Sequence, residues 1–111
     1  TDPANPVLDT TFNGTGTFNL ADLPGFSTAG APRGLTVAPD GTIYLASTDT
    51  GNFTNGTVYR IASDLASATS VTVLGAMDVA LRGGRVYATQ YLADNSAIAV
   101  LDATTLAQVD T

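Results

Sequence analysis

The sequence of 111 residues contains no cysteine, histidine or tryptophan. It also lacks lysine and glutamate, so every acidic residue is an aspartate and every basic residue is an arginine. Without histidine the chain has no usual proton shuttle, and without cysteine it has no thiolate nucleophile or soft-metal ligand. Without lysine it can form neither a Schiff base nor the lysine contact of a phosphate-binding loop. Most familiar enzyme mechanisms are therefore excluded, and we predict no catalytic residue.

The charge of the chain limits its partners. A formal net charge of −6 argues against nucleic acid, because phosphates are bound by clustered Arg and Lys, and against an anionic membrane surface. No run approaches the ~20 consecutive apolar residues of a transmembrane helix, so we expect no membrane insertion.

We expect that any signal peptide was removed or lies upstream. An acidic chain rich in Thr, Gly and Asn is typical of exported proteins, which predicts an extracellular or cell-surface location.

An internal repeat organises the second two thirds of the sequence. Residues 41–44 (GTIY) are matched 43 residues later by residues 84–87 (GRVY). Residues 58–61 (VYRI) are matched 40 residues later by residues 98–101 (IAVL), so the first unit has three extra residues between its second and third strands. A period of about 40–45 residues with four short strands per unit is typical of β-propellers.

Short β-favouring runs between turn signals define the predicted strands. They are residues 33–38, 42–48, 57–62 and 69–75 in the first unit, and 77–82, 85–91, 96–102 and 106–111 in the second. Both faces of these strands are apolar, which favours sheets stacked face to face over one half-solvated sheet. We therefore predict an all-β chain of about two four-stranded antiparallel meanders, the blades of a larger or oligomeric β-propeller. Residues 1–32 form a linker plus a strand or hairpin, residues 33–75 blade 1, and residues 76–111 an incomplete blade 2.

Several segments resemble known propeller repeats. GLTVAPDGTIYLAST followed by GTVYRI resembles the repeats of the NHL superfamily, and MDVALRGGRVYAT followed by AIAVLDATTLAQV resembles LVIVD-type and surface-layer propeller repeats. VLDTTFNGTG is similar to a segment that introduces blades in some bacterial surface repeats. The resemblance covers most of residues 7–111 and implies a propeller in a bacterial protein. It implies no single function, since propellers include lectins, scaffolds, lyases, lactonases and dehydrogenases.

Two groups of residues are candidate metal ligands. The first is Asp49, Asn52 and Asn55, with Asp40 near them, which offer the oxygen ligands that Ca²⁺ prefers. Their spacing matches no strict calcium loop, and ordinary turn chemistry is the preferred interpretation. Asp78 lies in the predicted innermost strand, where it either faces a central channel as a ligand or accepts hydrogen bonds from backbone N–H groups, the preferred role. No cofactor is therefore predicted, with Ca²⁺ as the alternative.

Other candidate residues concern the surface. Asn13, Asn52 and Asn55 begin Asn-x-Thr sequons and are glycosylation candidates in a host that exports and glycosylates the chain. Phe53 stands among polar residues, and it is either a contact for a partner or a cover for the blade rim.

Two further pairs of residues have equivalent positions or chemistry in the two units. Arg33 and Arg82 flank predicted inner strands, and they either contact an anionic ligand or are solvated or paired with Asp. Tyr44 and Tyr87 share one register, which predicts packing between blades.

These features together predict a non-enzymatic extracellular or cell-surface module that acts as a scaffold. Its predicted partners are other blades of the same protein or other protein copies. Two alternatives stay open: a blade pair of a metal-dependent propeller hydrolase or lactonase, with Asp78 as a ligand, and a glycan-binding propeller, which the absence of Trp disfavours. Because two blades leave apolar faces and strand edges uncovered, we expect the chain alone to oligomerise or aggregate.

Overall fold

The computed structural model describes residues 17, 19, 30–49, 55–92 and 96–109. Within these ranges the chain has seven strands and no helix, which confirms the predicted all-β class. The strands are β1 (Gly30–Val37), β2 (Ile43–Asp49), β3 (Thr57–Ile61), β4 (Ala68–Thr72), β5 (Ala76–Arg82), β6 (Arg85–Tyr91) and β7 (Ser96–Asp102).

The strands form two antiparallel sheets in which sequence neighbours pair. The first sheet has the order β1-β2-β3-β4 and the second the order β5-β6-β7. Tight turns impose this meander because they return the chain directly beside the strand just completed. Gly83 and Gly84 connect β5 to β6 with φ angles of 58° and 77°, a left-handed conformation that glycine adopts without steric cost.

Each sheet has a shift in strand register, and the two shifts lie at equivalent positions. The register between β1 and β2 shifts at Arg33, and the register between β5 and β6 shifts at Met77. Each shift places one extra residue on the first strand of its sheet, which is a β-bulge. The residues that follow the two bulges, Gly34 and Asp78, are therefore structurally equivalent. The repeat found in the sequence is thus a repeat of pairing geometry as well.

Strand pairing assigns equivalent residues to two faces of each sheet, which we name the front and back faces. The front face of the first sheet carries Tyr44, Ala46, Thr48 and Val58, and its equivalents in the second sheet are Tyr87, Thr89, Tyr91 and Ile98. The back face of the first sheet carries Leu35, Val37, Leu45, Tyr59 and Ile61, and its equivalents are Val79, Leu81, Ala88, Ala99 and Leu101.

The core lies between the front face of the first sheet and the back face of the second. Its buried residues include Tyr44, Ala46 and Val58 from the first sheet and Val79, Val86, Ala88, Ala99 and Leu101 from the second. Strand β5 packs against both β1 and β2. Because a front face meets a back face, the two units are stacked head to tail. On the first sheet's back face, Leu45, Tyr59 and Ile61 form a separate buried cluster with Leu65 and Ala68 beside it.

The predicted eighth strand differs from what the structure contains. In the described residues up to 109, the segment after β7 forms a single bridge, between Leu101 and Gln108. A turn comes first, in which Leu106 adopts φ 61° and buries its side chain. The Asp102 carboxylate accepts hydrogen bonds from the Thr104 and Thr105 N–H groups. This turn occupies residues that a continuous strand needs, so pairing resumes only at Ala107, whose carbonyl accepts from the Asp102 N–H.

Candidate functional site

The front face of the second sheet is an exposed apolar surface in the described part of the chain. It presents Tyr87, Tyr91 and Ile98, all of which are exposed. An open groove of about 570 Å³ lies where β6 ends and β7 begins, and it is lined by Met77, Thr89, Gln90, Tyr91, Ser96, Ala97 and Ile98. Scattered apolar residues on a surface need no explanation, whereas a contiguous patch of them is typical of an interaction site.

The equivalent front face of the first sheet is covered, and the exposed fractions of equivalent residues differ accordingly. Val58 is 0% exposed, whereas its equivalent Ile98 is 58% exposed. Tyr44 is 4% exposed, whereas Tyr87 in the same register is 39% exposed. The predicted packing between units is therefore present for Tyr44 and absent for Tyr87. The difference comes from the neighbouring sheet, because the back face of the second sheet covers Tyr44 and Val58.

On the back faces, the first strands of the two sheets show the opposite difference. Leu35 on β1 is 57% exposed, whereas its equivalent Val79 on β5 is 6% exposed. Val37 is exposed as well, whereas its equivalent Leu81 is partly buried against the core. On the first sheet's back face only the β1 residues Leu35 and Val37 are exposed, because Leu45, Tyr59 and Ile61 are buried in a cluster of their own.

A second, more polar cleft of about 580 Å³ lies where the hairpin turns of the two sheets meet. The Tyr44 hydroxyl donates to the Ala103 carbonyl at 2.6 Å, and the Arg60 Nε donates to the same oxygen at 3.0 Å. Both donors belong to the first sheet and the acceptor follows the second, so these bonds fasten the two units together. Exposed Arg82 also lines the cleft, next to Gly83.

The carboxylates near this cleft stabilise turns. The Asp40 carboxylate accepts a hydrogen bond from the Thr42 N–H at 2.9 Å, and this bond holds the pKa of Asp40 below its ordinary value. The N–H groups of Thr105 and Thr104 lower the pKa of Asp102 in the same way. These are the bonds of ordinary Asx turns, and they account for both carboxylates without a ligand.

Asp78 lies on β5, directly opposite β1. One of its oxygens accepts a hydrogen bond from the Val79 N–H at 2.9 Å, while the residue as a whole is exposed. A Cβ atom built on Gly34 would lie 2.1 Å from that oxygen and 3.0 Å from the Asp78 Cα. The absence of a side chain at position 34 is therefore what lets the two sheets approach at this point.

Of the residues predicted as calcium ligands, Asp40 lies apart from Asp49 and Asn55 along the first sheet. Asp40 precedes β2, whereas Asp49 ends it and Asn55 lies beyond it. A seven-residue strand is roughly 20 Å long, so Asp40 cannot share an ion with the other two. Asn52 lies outside the described residues, as do the sequon residue Asn13 and the candidate contact Phe53. Among the described residues no cluster of three or more Asp, Glu, His or Cys side chains is present.

The remaining candidates occupy different parts of the surface. Asn55 is exposed, and its backbone carbonyl accepts from the Gly75 N–H at 3.0 Å. Arg33 is the exposed bulge residue of β1, remote in the fold from the turn that follows Arg82.

The uncovered front face, which the sequence analysis did not single out, is recognisable in retrospect from Tyr91 and Ile98. Their positions match the buried Thr48 and Val58.

Comparison with known proteins adds no relative to this picture. No protein-family model, curated protein or solved structure matches the chain. The described residues contain no helix long and apolar enough to cross a membrane. The stacked arrangement of the two sheets is therefore the main guide to function.

Proposed function

We propose that this chain is a non-enzymatic structural and interaction module of an extracellular or cell-surface protein. In this proposal its two meanders are consecutive blades of the β-propeller type, and the function of the module is to present surfaces to neighbouring blades or protein copies. The observation that carries the proposal is the head-to-tail packing of equivalent sheets, front face to back face, through one continuous apolar cluster. Such packing can be extended by further units, as in other repeat proteins.

The chemistry of the described residues supports a structural role. Asp40, Asp64 and Asp102 each accept hydrogen bonds from backbone N–H groups of their own turns. Asp78 does so within β5. Activation of a hydroxyl nucleophile needs an adjacent base oriented by a third group, and the chain has no His, Lys, Cys or Glu for that purpose. The acidic composition fits a soluble surface module.

The experiment compares Asp78→Asn with wild type, because Asp78 is the metal ligand in the alternative enzyme. Asn keeps an oxygen that can accept from the Val79 N–H, so we expect a loss of on the order of 1 kcal/mol in the free energy of unfolding. We expect no change in metal content, measured by plasma mass spectrometry after dialysis against Ca²⁺ and Zn²⁺.

Asp64→Asn is the matched control, since Asp64 also accepts one backbone N–H at 2.9 Å and is exposed. The two variants should lose similar amounts of stability in calorimetry. Stoichiometric metal in wild type that disappears in Asp78→Asn and persists in Asp64→Asn would reject the non-enzymatic proposal in favour of the metal-dependent alternative.

A further inference from the structure

Two exposed arginines lie directly opposite each other at the hairpin end of the second sheet. Arg82 ends β5 and Arg85 begins β6, and the strand register pairs them. Opposite residues share a face of a sheet, and so do alternate residues along a strand. The pair is therefore on the front face, together with Tyr87. Like charges in opposite positions destabilise a sheet, so strand pairing alone gives no reason for these two arginines.

The first sheet has neutral residues at the equivalent positions, Ala38 and Thr42. These residues also pair, since the Ala38 N–H donates to the Thr42 carbonyl at 2.8 Å. Thr42 is buried, and Ala38 packs against the core. A sheet of this kind therefore forms without arginines at its hairpin end. A local feature that costs stability and does not serve the fold is typical of a functional surface.

The carboxylates of the second sheet balance only part of this positive charge. Asp102 lies opposite Arg85 in the register. Backbone hydrogen bonds within its own turn, and to a smaller degree Arg85, hold the pKa of Asp102 below its ordinary value. Arg82 has no hydrogen-bonding or charged partner among the described residues. Asp78 is on the same strand and face but roughly 13 Å away, at the usual rise per residue. The hairpin end thus keeps an excess positive charge in a chain whose net charge is −6.

We propose that the front face of the second sheet binds a partner protein that places carboxylates against Arg82 and Arg85 and apolar side chains against Tyr87 and Ile98. Arginine and carboxylate groups form strong, often bidentate hydrogen bonds. Tyr and Arg are also enriched among the residues that supply most of the binding energy of protein contacts. The inference deepens the proposed function, on which it rests for the role of this face as a contact surface.

The fold favours a protein partner whose sequence differs from that of this chain. The equivalent face of the first sheet, with Tyr44 and Val58, is already covered by protein. A second copy of the chain does not fit, because the back face of its first sheet has Val37, Ile43 and Ile61 in the row at the hairpin end. That row is apolar and offers no carboxylate to an arginine, and Ile61 is already buried. The partner is therefore acidic where this chain is apolar.

The experiment measures binding of a fluorescently labelled random copolymer of glutamate and tyrosine to the full chain by fluorescence anisotropy. At physiological ionic strength, charges farther away than about 8 Å are largely screened. Wild type should bind this copolymer more tightly than polyglutamate, which lacks the rings. Arg82→Gln should weaken binding at least about tenfold, since charge-assisted hydrogen bonds are lost. Arg33→Gln removes an exposed arginine at the bulge of β1 and should bind like wild type.

A second pair of variants tests the apolar half of the contact. Ile98→Ser should weaken binding by about tenfold, because it removes an apolar side chain at the centre of the face. Val37→Ser is its control and should bind like wild type. Val37 is exposed to nearly the same extent, 56% against 58% for Ile98, but lies on the back face of the first sheet.

Urea unfolding separates binding from folding. Arg82→Gln removes one member of a like-charge pair, so the free energy of unfolding should stay unchanged or rise. A purely structural role for Arg82 predicts a loss of stability instead.

Three results would overturn the proposed contact. The first is a wild type that does not bind the copolymer. The second is equal weakening by Arg82→Gln and Arg33→Gln, which would mean general attraction between charges. The third is heparin that binds as tightly as the copolymer and depends on Arg82, which would assign an anionic glycan instead of a protein. None of these results affects the non-enzymatic proposal, which the metal measurement on Asp78→Asn tests separately.

Discussion

Replacement of Gly34 by alanine tests the contact on which the stacking of the two sheets depends. The added Cβ would lie 2.1 Å from the Asp78 Oδ1, 2.8 Å from its Cγ and 3.0 Å from its Cα. The carboxylate can rotate away, but the Cα can move only with β5. Overpacking of this kind costs about 1–3 kcal/mol. The backbone of Gly34 is outside the left-handed region, so alanine also restricts the unfolded chain and recovers about 0.4–1 kcal/mol.

We therefore expect Gly34→Ala to lower the free energy of unfolding by about 1–2 kcal/mol, the balance of the overpacking cost and the gain from a more restricted unfolded chain. Urea titration followed by circular dichroism at low protein concentration measures the change. A double-mutant cycle with Asp78→Ala assigns its cause, because that substitution removes the two nearest atoms. The cost of Gly34→Ala should then fall by about 1 kcal/mol or more, the coupling typical of residues in contact.

Gly83→Ala serves as the control for this cycle. No atom lies within 4 Å of a Cβ built at Gly83, yet its φ is 58°. The substitution should therefore destabilise through backbone strain alone and show no coupling to Asp78. Equal costs of Gly34→Ala with and without Asp78→Ala would refute the proposed steric contact, and so would a Gly34→Ala variant that is more stable than wild type.

Two further predictions concern the turns. Tyr44→Phe removes the hydroxyl that donates to the Ala103 carbonyl and should cost about 0.5–1.5 kcal/mol in urea unfolding; no measurable cost would mean that this bond does not fasten the sheets. The hydrogen bonds that hold the pKa of Asp40 and Asp102 below the ordinary 3.8 stabilise the fold fully above that value. This contribution is lost as the pH falls through the lower pKa values of the folded state. Replacing both aspartates by asparagine should reduce the loss in the free energy of unfolding between neutral and acid pH. An unchanged dependence on pH would contradict the role assigned to these two carboxylates.

The strands were predictable because local signals define them. The glycines at 83–84 and the sequence Pro39-Asp40-Gly41 mark hairpins, and β-branched and aromatic residues fill the runs between them. Pairing of successive strands follows from the short turns. Both faces of the predicted strands are apolar, which indicated that the sheets stack face to face. One such pair of stacked sheets is present.

The exposure of individual residues was not predictable, because it depends on what lies beyond each sheet. Tyr44 and Tyr87 have the same register and similar local sequences, GTIY and GRVY, yet one is buried and the other is exposed. The bulges at Arg33 and Met77 also left no clear signal, since a bulge arises from pairing with a partner strand rather than from local propensity. The close approach at Gly34 depends on the distance between sheets, which a one-dimensional pattern does not contain.

A linear stack of two-sided sheets has an unavoidable consequence for stability. Each added unit covers one front or back face and contributes a new uncovered face of the same kind, so the two ends of the stack stay apolar whatever its length. In this chain the front face of the second sheet is exposed at Ile98, whereas the back face of the first sheet is exposed only at Leu35 and Val37. Capping units with polar outer faces remove such ends in open solenoids, whereas closure into a ring joins the two ends to each other. Under the proposal that the two meanders are consecutive blades, we expect a further unit to cover the exposed front face of the second sheet, where Tyr87, Tyr91 and Ile98 lie.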